Sequence, residues 1–181
     1  MSHISIALIV VLAIIIISLI LVTMHNYQLK AKKESMLSFF RKVALVHDLS
    51  FTSQEILQHL ILALDGSKRK LLLVEEKNKN YDTRVIDLSD VHTCKVKKVY
   101  AAIDIHQYKR NKPEQYLNSI AIELELHNGQ SPVEIFFYRS NSNGIYEIKE
   151  LETRARNWEG MLSGLLKVPG EKKLTIVEAT N

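Results

Sequence analysis

The longest uninterrupted apolar stretch of the chain lies near its start. Residues 4–24, ISIALIVVLAIIIISLILVTM, contain no charged residue. A helix rises about 1.5 Å per residue, so this stretch would reach about 31 Å, close to the roughly 30 Å hydrocarbon core of a bilayer. A cleaved signal peptide is the alternative, but its apolar core is shorter and basic residues precede it. The pattern therefore predicts a transmembrane anchor at residues 1–25.

A basic segment follows the apolar stretch. Residues 26–48 contain neither glycine nor proline, and their apolar positions recur near helical spacing, which predicts a juxtamembrane helix or linker. Phe39 and Phe40 lie beside basic residues in this segment. Two arrangements are open: the helix lies on a bilayer surface, or it forms a stalk that packs on the domain or on a second copy.

From residue 55 the pattern changes to short β-rich runs separated by polar turns. The apolar residues 60–64 precede the polar link DGSKRK, and LLLVEE follows it, so the two runs predict a β-hairpin. Further strands are predicted at RVIDL, VHTCKVKKVY, YLNSIAIELEL and VEIFFYR. Apolar residues alternate with Glu123 and Glu125 in the third of these. Burial on one face in this way suits antiparallel pairing.

The last predicted element is an amphipathic helix. Its apolar residues recur at helical spacing, and they are Ile148, Leu151, Ala155, Trp158 and Leu162. Pro169 and Gly170 end the helix, and the tail 169–181 is predicted to be flexible. The complete pattern predicts an α+β fold class that is mainly β. It consists of an N-terminal transmembrane helix, an antiparallel barrel or sandwich of six to seven strands, and a C-terminal amphipathic helix.

Two parts of the chain carry a family resemblance. ALDGSKRKLLLVEE with RVIDLSDVHTCKV, and then IYEIKELETRARNWEGML, resemble bacterial membrane-anchored proteins with a pleckstrin-homology-like domain. The resemblance implies such a domain at residues 49–168. It also implies a tight bend at residues 87–90 with Leu88 and Val91 pointing inward, and Trp158 closing one end of the barrel. It brings no catalytic motif.

Net charge is concentrated beside the apolar stretch. The chain has 24 bases and 20 acids, and removing the five bases and one acid of residues 30–42 leaves 19 of each. The five juxtamembrane bases are Lys30, Lys32, Lys33, Arg41 and Lys42. Basic flanks stay on the cytoplasmic side, so we predict that the N-terminus is outside and the domain is in the cytoplasm. The resemblance to bacterial proteins implies that the membrane is the bacterial inner membrane. The neutral domain argues against a nucleic-acid partner.

Residue types that bind metals do not form a convincing set. Asp87, Asp90 and His92 are close in sequence, and residues two apart share a face of a strand. No third ligand follows at a suitable spacing, and the pair Asp104 and His106 meets the same objection. We therefore predict no metal site.

Catalytic motifs are also missing from the sequence. Cys94 is the only cysteine, which excludes an internal disulfide, and its position in a predicted strand indicates a small core residue. There is no GxSxG elbow, no P-loop and no dinucleotide-binding glycine pattern. We therefore predict that the protein is not an enzyme and that it has no cofactor and no small-molecule substrate.

The predicted hairpin carries a basic cluster, Lys68, Arg69 and Lys70. One interpretation is a contact site for anionic lipid, because phosphoinositide-binding members of the pleckstrin-homology fold have bases in this hairpin. Their Lys/Arg-x-Arg pattern on the following strand is absent here, and Asp65 and two glutamates flank the cluster. The other interpretation, a solvated turn whose charges discourage edge pairing, is favoured.

Taken as a set, these features predict a membrane-tethered cytoplasmic binding or scaffold module that recognises a protein partner, or a second copy of itself, without catalysis. The partner would occupy a sheet edge or the groove beside the C-terminal helix. The alternative function is an anionic-lipid sensor that uses Lys68, Arg69 and Lys70.

Overall fold

The structure is a computed structural model, and it describes residues 2–77, 80–101, 113–127 and 129–167. Within these ranges, side chains are described except at residues 2–11, 25, 26, 29, 113 and 167. The predicted flexible tail and the pair Asp104 and His106 lie outside the described residues.

The first element is one long helix, α1, which spans Ser2–Val46. No glycine or proline interrupts it, so nothing in the sequence stops the helix where the apolar segment gives way to the basic one. The helix ends before Asp48, whose backbone is left-handed with a φ of 49°. The amide of Leu49 donates to the carbonyl of Ala44 at 3.0 Å, which closes the last turn in the manner of a Schellman motif.

The predicted fold class is wrong in its transmembrane helix. Among the described residues, no helix combines the length and the apolarity that crossing a membrane requires. Beyond Met24, α1 continues into polar and basic residues as far as Val46.

Seven described strands form two antiparallel sheets. The first sheet has four strands, β1 (Ser53–Ile56), β2 (Leu60–Asp65), β3 (Lys70–Lys77) and β4 (Asn80–Asp87). The second has three, β5 (Val91–Tyr100), β6 (Leu117–Leu126) and β7 (Val133–Arg139). In both sheets the strands lie in sequence order. The predicted hairpin is confirmed, because β2 pairs with β3 in antiparallel register.

The predicted bend at residues 87–90 is confirmed as a 3₁₀ turn, Leu88–Asp90. The carboxylate of Asp87 caps the turn by accepting a hydrogen bond from the amide of Ser89 at 2.9 Å. Leu88 and Val91 are both buried in the core, as the family resemblance implied. The turn carries the chain from the first sheet to the second.

A second helix, α2 (Ile148–Lys167), packs against the second sheet. Its residues predicted from helical spacing are buried, and they are Ile148, Leu151, Ala155, Trp158 and Leu162. The indole N–H of Trp158 donates to the carboxylate of Glu55 at 3.2 Å. This contact joins α2 to β1, so the helix touches both sheets and covers the core between them.

The two inner strands of the first sheet, β2 and β3, are buried on both faces, which corrects the prediction of one-sided burial. Leu62 and the residues that share its face of β2 lie in the main core. Ile61 and Ala63 point to the opposite face and lie in a second apolar cluster with Met36 and Phe40 of α1. All six residues of β2 are therefore buried.

The end of α1 is a stalk packed on the domain, which was one of the two predicted arrangements. The ring of Phe40 lies 5.0 Å from the ring of Phe51, and the ring of Phe39 lies 5.0 Å from the ring of Tyr81. Since these rings contact the domain, the alternative in which Phe39 and Phe40 lie on a bilayer surface is wrong.

Candidate functional site

The basic cluster lies at the tip of the β2–β3 hairpin, where two of its side chains make internal contacts. Lys68 Nζ lies 2.6 Å from the carboxylate of Asp48. A guanidinium nitrogen of Arg69 donates to the carbonyl of Leu165 at 3.0 Å. Lys70 is the first residue of β3. The cluster thus connects the hairpin to the end of α1 and to the end of α2.

Asp65 organises this turn, and the sequence did not reveal that it is buried. Its carboxylate accepts hydrogen bonds from the amide of Ser50 at 2.8 Å, the hydroxyl of Ser67 at 2.6 Å and the amide of Lys68 at 2.9 Å. Burial acts to raise the pKa of Asp65, but these hydrogen bonds outweigh it and lower the pKa to about 2. The carboxylate is therefore ionised and serves as the centre of the turn.

Cys94 is buried in the core, as its alternation predicted. Burial raises the pKa of its thiol to about 12, the charge of Glu159 acts in the same direction, and a hydrogen bond with Ser163 acts against them. A thiol with so high a pKa is not a nucleophile at neutral pH.

The residues weighed as metal ligands lie on the surface near the 3₁₀ turn. Asp90 and His92 are exposed, and the ring of His92 lies 5.1 Å from the ring of His127. In the part of the chain that the structure describes, no three His, Cys, Asp or Glu side chains are grouped to hold a metal ion.

The juxtamembrane bases lie along α1. Lys32 forms an ion pair in which its Nζ lies 3.0 Å from a carboxylate oxygen of Glu76 at the end of β3. The other four are exposed, and they are Lys30, Lys33, Arg41 and Lys42. Lys32 is thus the member of the set that ties α1 to the first sheet by an ion pair.

His59, in the β1–β2 turn, has an unusual environment. Among the described residues, neither of its ring nitrogens has a hydrogen-bond partner. Burial lowers the pKa of His59, the charge of Arg139 acts in the same direction, and Glu75 and Glu76 oppose them. The imidazole is therefore neutral at pH 7. No described carboxylate or hydroxyl is hydrogen-bonded to it, so it does not form a catalytic dyad there.

An apolar groove of about 420 Å³ lies between the end of β5, the start of β6 and the first turn of α2. The sequence indicated a groove beside this helix as one possible binding surface but did not identify the residues that line it. Leu117 and Ile148 form its buried part, and Tyr100, Ile145 and Tyr146 line its open side. Tyr146 is 86% exposed. Outside α1, six large apolar side chains are exposed in the described residues, and three of them line this groove. Exposed apolar side chains clustered in this way mark binding surfaces.

Among the described residues, the strand beside the groove has an unpaired edge. In the described sheet, β5 pairs with β6 on one side only. The amide of Val96 points away from β6 and donates to the carboxylate of Glu159 on α2 at 2.8 Å. Backbone groups alternate in direction along a strand, so the amide of Lys98 points to the same side. Glu159 therefore occupies the edge at Val96, while the edge from Lys98 to Tyr100 faces the groove.

Gly144 sets the position of Tyr146. A Cβ added at Gly144 would overlap the ring of Tyr146, so the ring can lie against the backbone only because residue 144 has no side chain. The ring remains largely exposed in this position and forms part of the groove wall.

The rim of the groove is electrically balanced. Lys98 Nζ lies 2.6 Å from the carboxylate of Glu152. The hydrogen bond from Lys98 is the main reason that the pKa of Glu152 lies below its usual value, although burial opposes it and Arg156 assists. Lys149 and Glu114 line the same groove, and neither forms an ion pair with another described residue. Two bases and two acids thus surround an apolar surface.

No family model, curated protein or solved structure matches the chain. The resemblance to proteins with a pleckstrin-homology-like domain therefore stays a prediction.

Proposed function

We propose that this chain is a binding module that takes an extended segment of a protein partner along the free edge of β5, beside α2. The observation that carries the proposal is the cluster of exposed Tyr100, Ile145 and Tyr146 in a groove that borders a strand edge with no partner strand in the described sheet. In complexes of this kind, main-chain hydrogen bonds to the edge supply affinity and side-chain pockets supply specificity.

The lining of the groove indicates which segments would bind. The partner backbone would pair with the edge from Lys98 to Tyr100, and an apolar or aromatic side chain would enter between Tyr100 and Tyr146, above Leu117. Because the rim carries equal numbers of acids and bases, it favours neither a strongly acidic nor a strongly basic segment. The proposed ligand is therefore an extended, mainly apolar peptide of low net charge.

Other parts of the predicted function stay predictions. The inner-membrane location, the cytoplasmic orientation and self-association are not tested by any contact described above. The alternative function, lipid sensing by the hairpin, gains no support from the contacts of Lys68 and Arg69, because both side chains bind groups of the protein itself.

Peptide selection tests the proposal directly. Random peptides displayed on phage are selected against the full-length chain, which is kept in mild detergent because α1 exposes apolar side chains. We expect the selected peptides to carry aromatic or large aliphatic residues at alternate positions, as strand addition requires. Replacement of Tyr146 by alanine should weaken their binding about tenfold or more, the usual effect of losing an aromatic anchor. Tyr27→Ala removes another largely exposed tyrosine, from α1, and is the matched control.

A second variant separates groove shape from groove composition. Gly144→Ala keeps Tyr146 but forces its ring away from the backbone, so we expect weaker peptide binding with an unchanged circular dichroism spectrum. If no peptide is selected, or if Tyr146→Ala and Tyr27→Ala bind the selected peptides equally well, the proposed function is wrong.

A further inference from the structure

A second groove, of about 250 Å³, lies where α1 meets the β1–β2 turn. Its apolar surface comes from Met36 of α1, Ile56 of β1 and Leu57 of the turn. Its rim carries Lys32, Lys33 and Glu76. This groove shares no residue with the one beside α2, so the inference drawn from it is independent of the proposed function.

The two lysines at the rim are in different electrostatic situations. Lys32 is paired with Glu76 at 3.0 Å. Lys33 is exposed and forms no ion pair with any residue that the structure describes. Lys30 lies three residues before Lys33, less than one helical turn away, and is also exposed. The groove therefore combines an apolar floor with a positive charge that is available to an anion.

The groove follows directly on the apolar surface of α1. The large apolar side chains between Leu12 and Met24 are between 48% and 62% exposed, on every side of the helix. Eight residues, about 12 Å of helix, separate Met24 from Lys32. An exposed apolar surface followed by lysines is complementary to molecules that join hydrocarbon chains to an anionic head.

From this arrangement we propose that the groove binds one anionic phospholipid. Its phosphate contacts Lys33 and the outer side of Lys32, and the first methylenes of one acyl chain lie against Met36, Ile56 and Leu57. The remainder of the acyl chains lies along the exposed apolar surface of α1. This site differs from the hairpin cluster weighed in the sequence, since it uses Lys32 and Lys33 and leaves Lys68 and Lys70 outside.

Mass spectrometry of the intact full-length chain in mild detergent tests the site. The probes are phosphatidylglycerol, phosphatidylcholine and inorganic phosphate, each added separately. We expect one phosphatidylglycerol molecule to remain bound at concentrations where phosphatidylcholine does not, and we expect inorganic phosphate not to displace it. Lys33→Ala should weaken phosphatidylglycerol binding about fivefold, the effect of one lysine near an anionic lipid surface.

Two control variants decide whether the groove is responsible. Lys42→Ala removes the same charge from an exposed position of α1 outside the groove and should leave binding unchanged. Ile56→Ser removes part of the apolar floor and should weaken phosphatidylglycerol while the circular dichroism spectrum is retained. Equal losses in Lys33→Ala and Lys42→Ala would overturn the proposal, as would equal retention of the two lipids or displacement by inorganic phosphate. A loss confined to alanine variants of Lys68 and Lys70 would move the site to the hairpin and also overturn it.

Discussion

Replacing Trp158 with alanine is expected to lower the free energy of unfolding by about 3–5 kcal/mol, the usual cost of removing a large buried aromatic side chain. Trp158 is 2% exposed and lies in the main core, where α2 meets the sheets. Its indole also binds Glu55 on β1, so the substitution removes both core volume and the link between α2 and β1. Urea unfolding followed by far-ultraviolet circular dichroism measures the change.

A conservative variant separates the two contributions of Trp158. Trp158→Phe keeps a buried ring but removes the N–H that donates to Glu55, so its cost should be smaller, about 1–3 kcal/mol. Arg154 still pairs with Glu55 at 3.2 Å in this variant, which limits the penalty for the carboxylate. If Trp158→Ala unfolds at the same urea concentration as the wild type, α2 does not close the core as described.

The second large effect is expected at Asp65. Asparagine at this position keeps the shape of the side chain but removes the charge and presents an NH₂ group to amides that need an acceptor. At pH 7, Asp65→Asn should lower the free energy of unfolding by about 2 kcal/mol, because a buried hydrogen-bonding group of the turn is left without its partner. The fluorescence of Trp158, the only tryptophan, follows the unfolding.

The pH dependence of stability gives an independent check on Asp65. Its pKa is lowered from 3.8 to about 2 in the folded protein, so its contribution to stability is present above pH 3.8 and is lost as the pH falls from 3.8 towards 2. The wild type should lose this contribution over that interval, and Asp65→Asn should not. Asp90→Asn, at an exposed position three residues after the capping Asp87, is the matched control and should stay within about 0.5 kcal/mol of the wild type. Equal acid sensitivity in wild type and Asp65→Asn would contradict the role given to Asp65.

The spacing of apolar residues in the sequence was enough to predict the buried face of two elements, β6 and α2. In β6, Ile120, Ile122 and Leu124 are buried, while Glu123 and Glu125 lie on the other face. The helical spacing of α2 likewise identified its buried side. In both elements one face contacts the core and charged side chains of the other face are less buried, so the period of the apolar residues identifies the core face.

In other elements, whether a side chain is buried depends on parts of the chain that are distant in sequence. The second face of β2, with Ile61 and Ala63, is buried only because Met36 and Phe40 of α1 cover it. A run of consecutive apolar residues such as LILAL does not show which element supplies that cover. Asp65 is a similar case, because its partner Ser50 lies fifteen residues earlier in the chain.

The candidate groove was even less accessible to sequence reasoning. Tyr100, Leu117 and the pair Ile145 and Ile148 come from three separate segments, and no motif links them. One local signal was available: Ile145 and Tyr146 are apolar residues placed just before a helix, after the polar turn SNSNG, where solvent-exposed polar residues are expected. The basic hairpin is the more conspicuous motif in the sequence, although Lys68 and Arg69 contact the ends of the two helices.

The most direct test of the central claim is nuclear magnetic resonance of the isotopically labelled full-length protein in complex with a selected peptide. Strand addition at β5 predicts large amide shifts at Lys98 and Tyr100, with contacts between peptide protons and the backbone protons of that edge. It also predicts shifts in the Tyr146 ring and none at the outer edge of β4. Peptide contacts at β4 or β7, with the resonances of Lys98 to Tyr100 unchanged, would contradict the account.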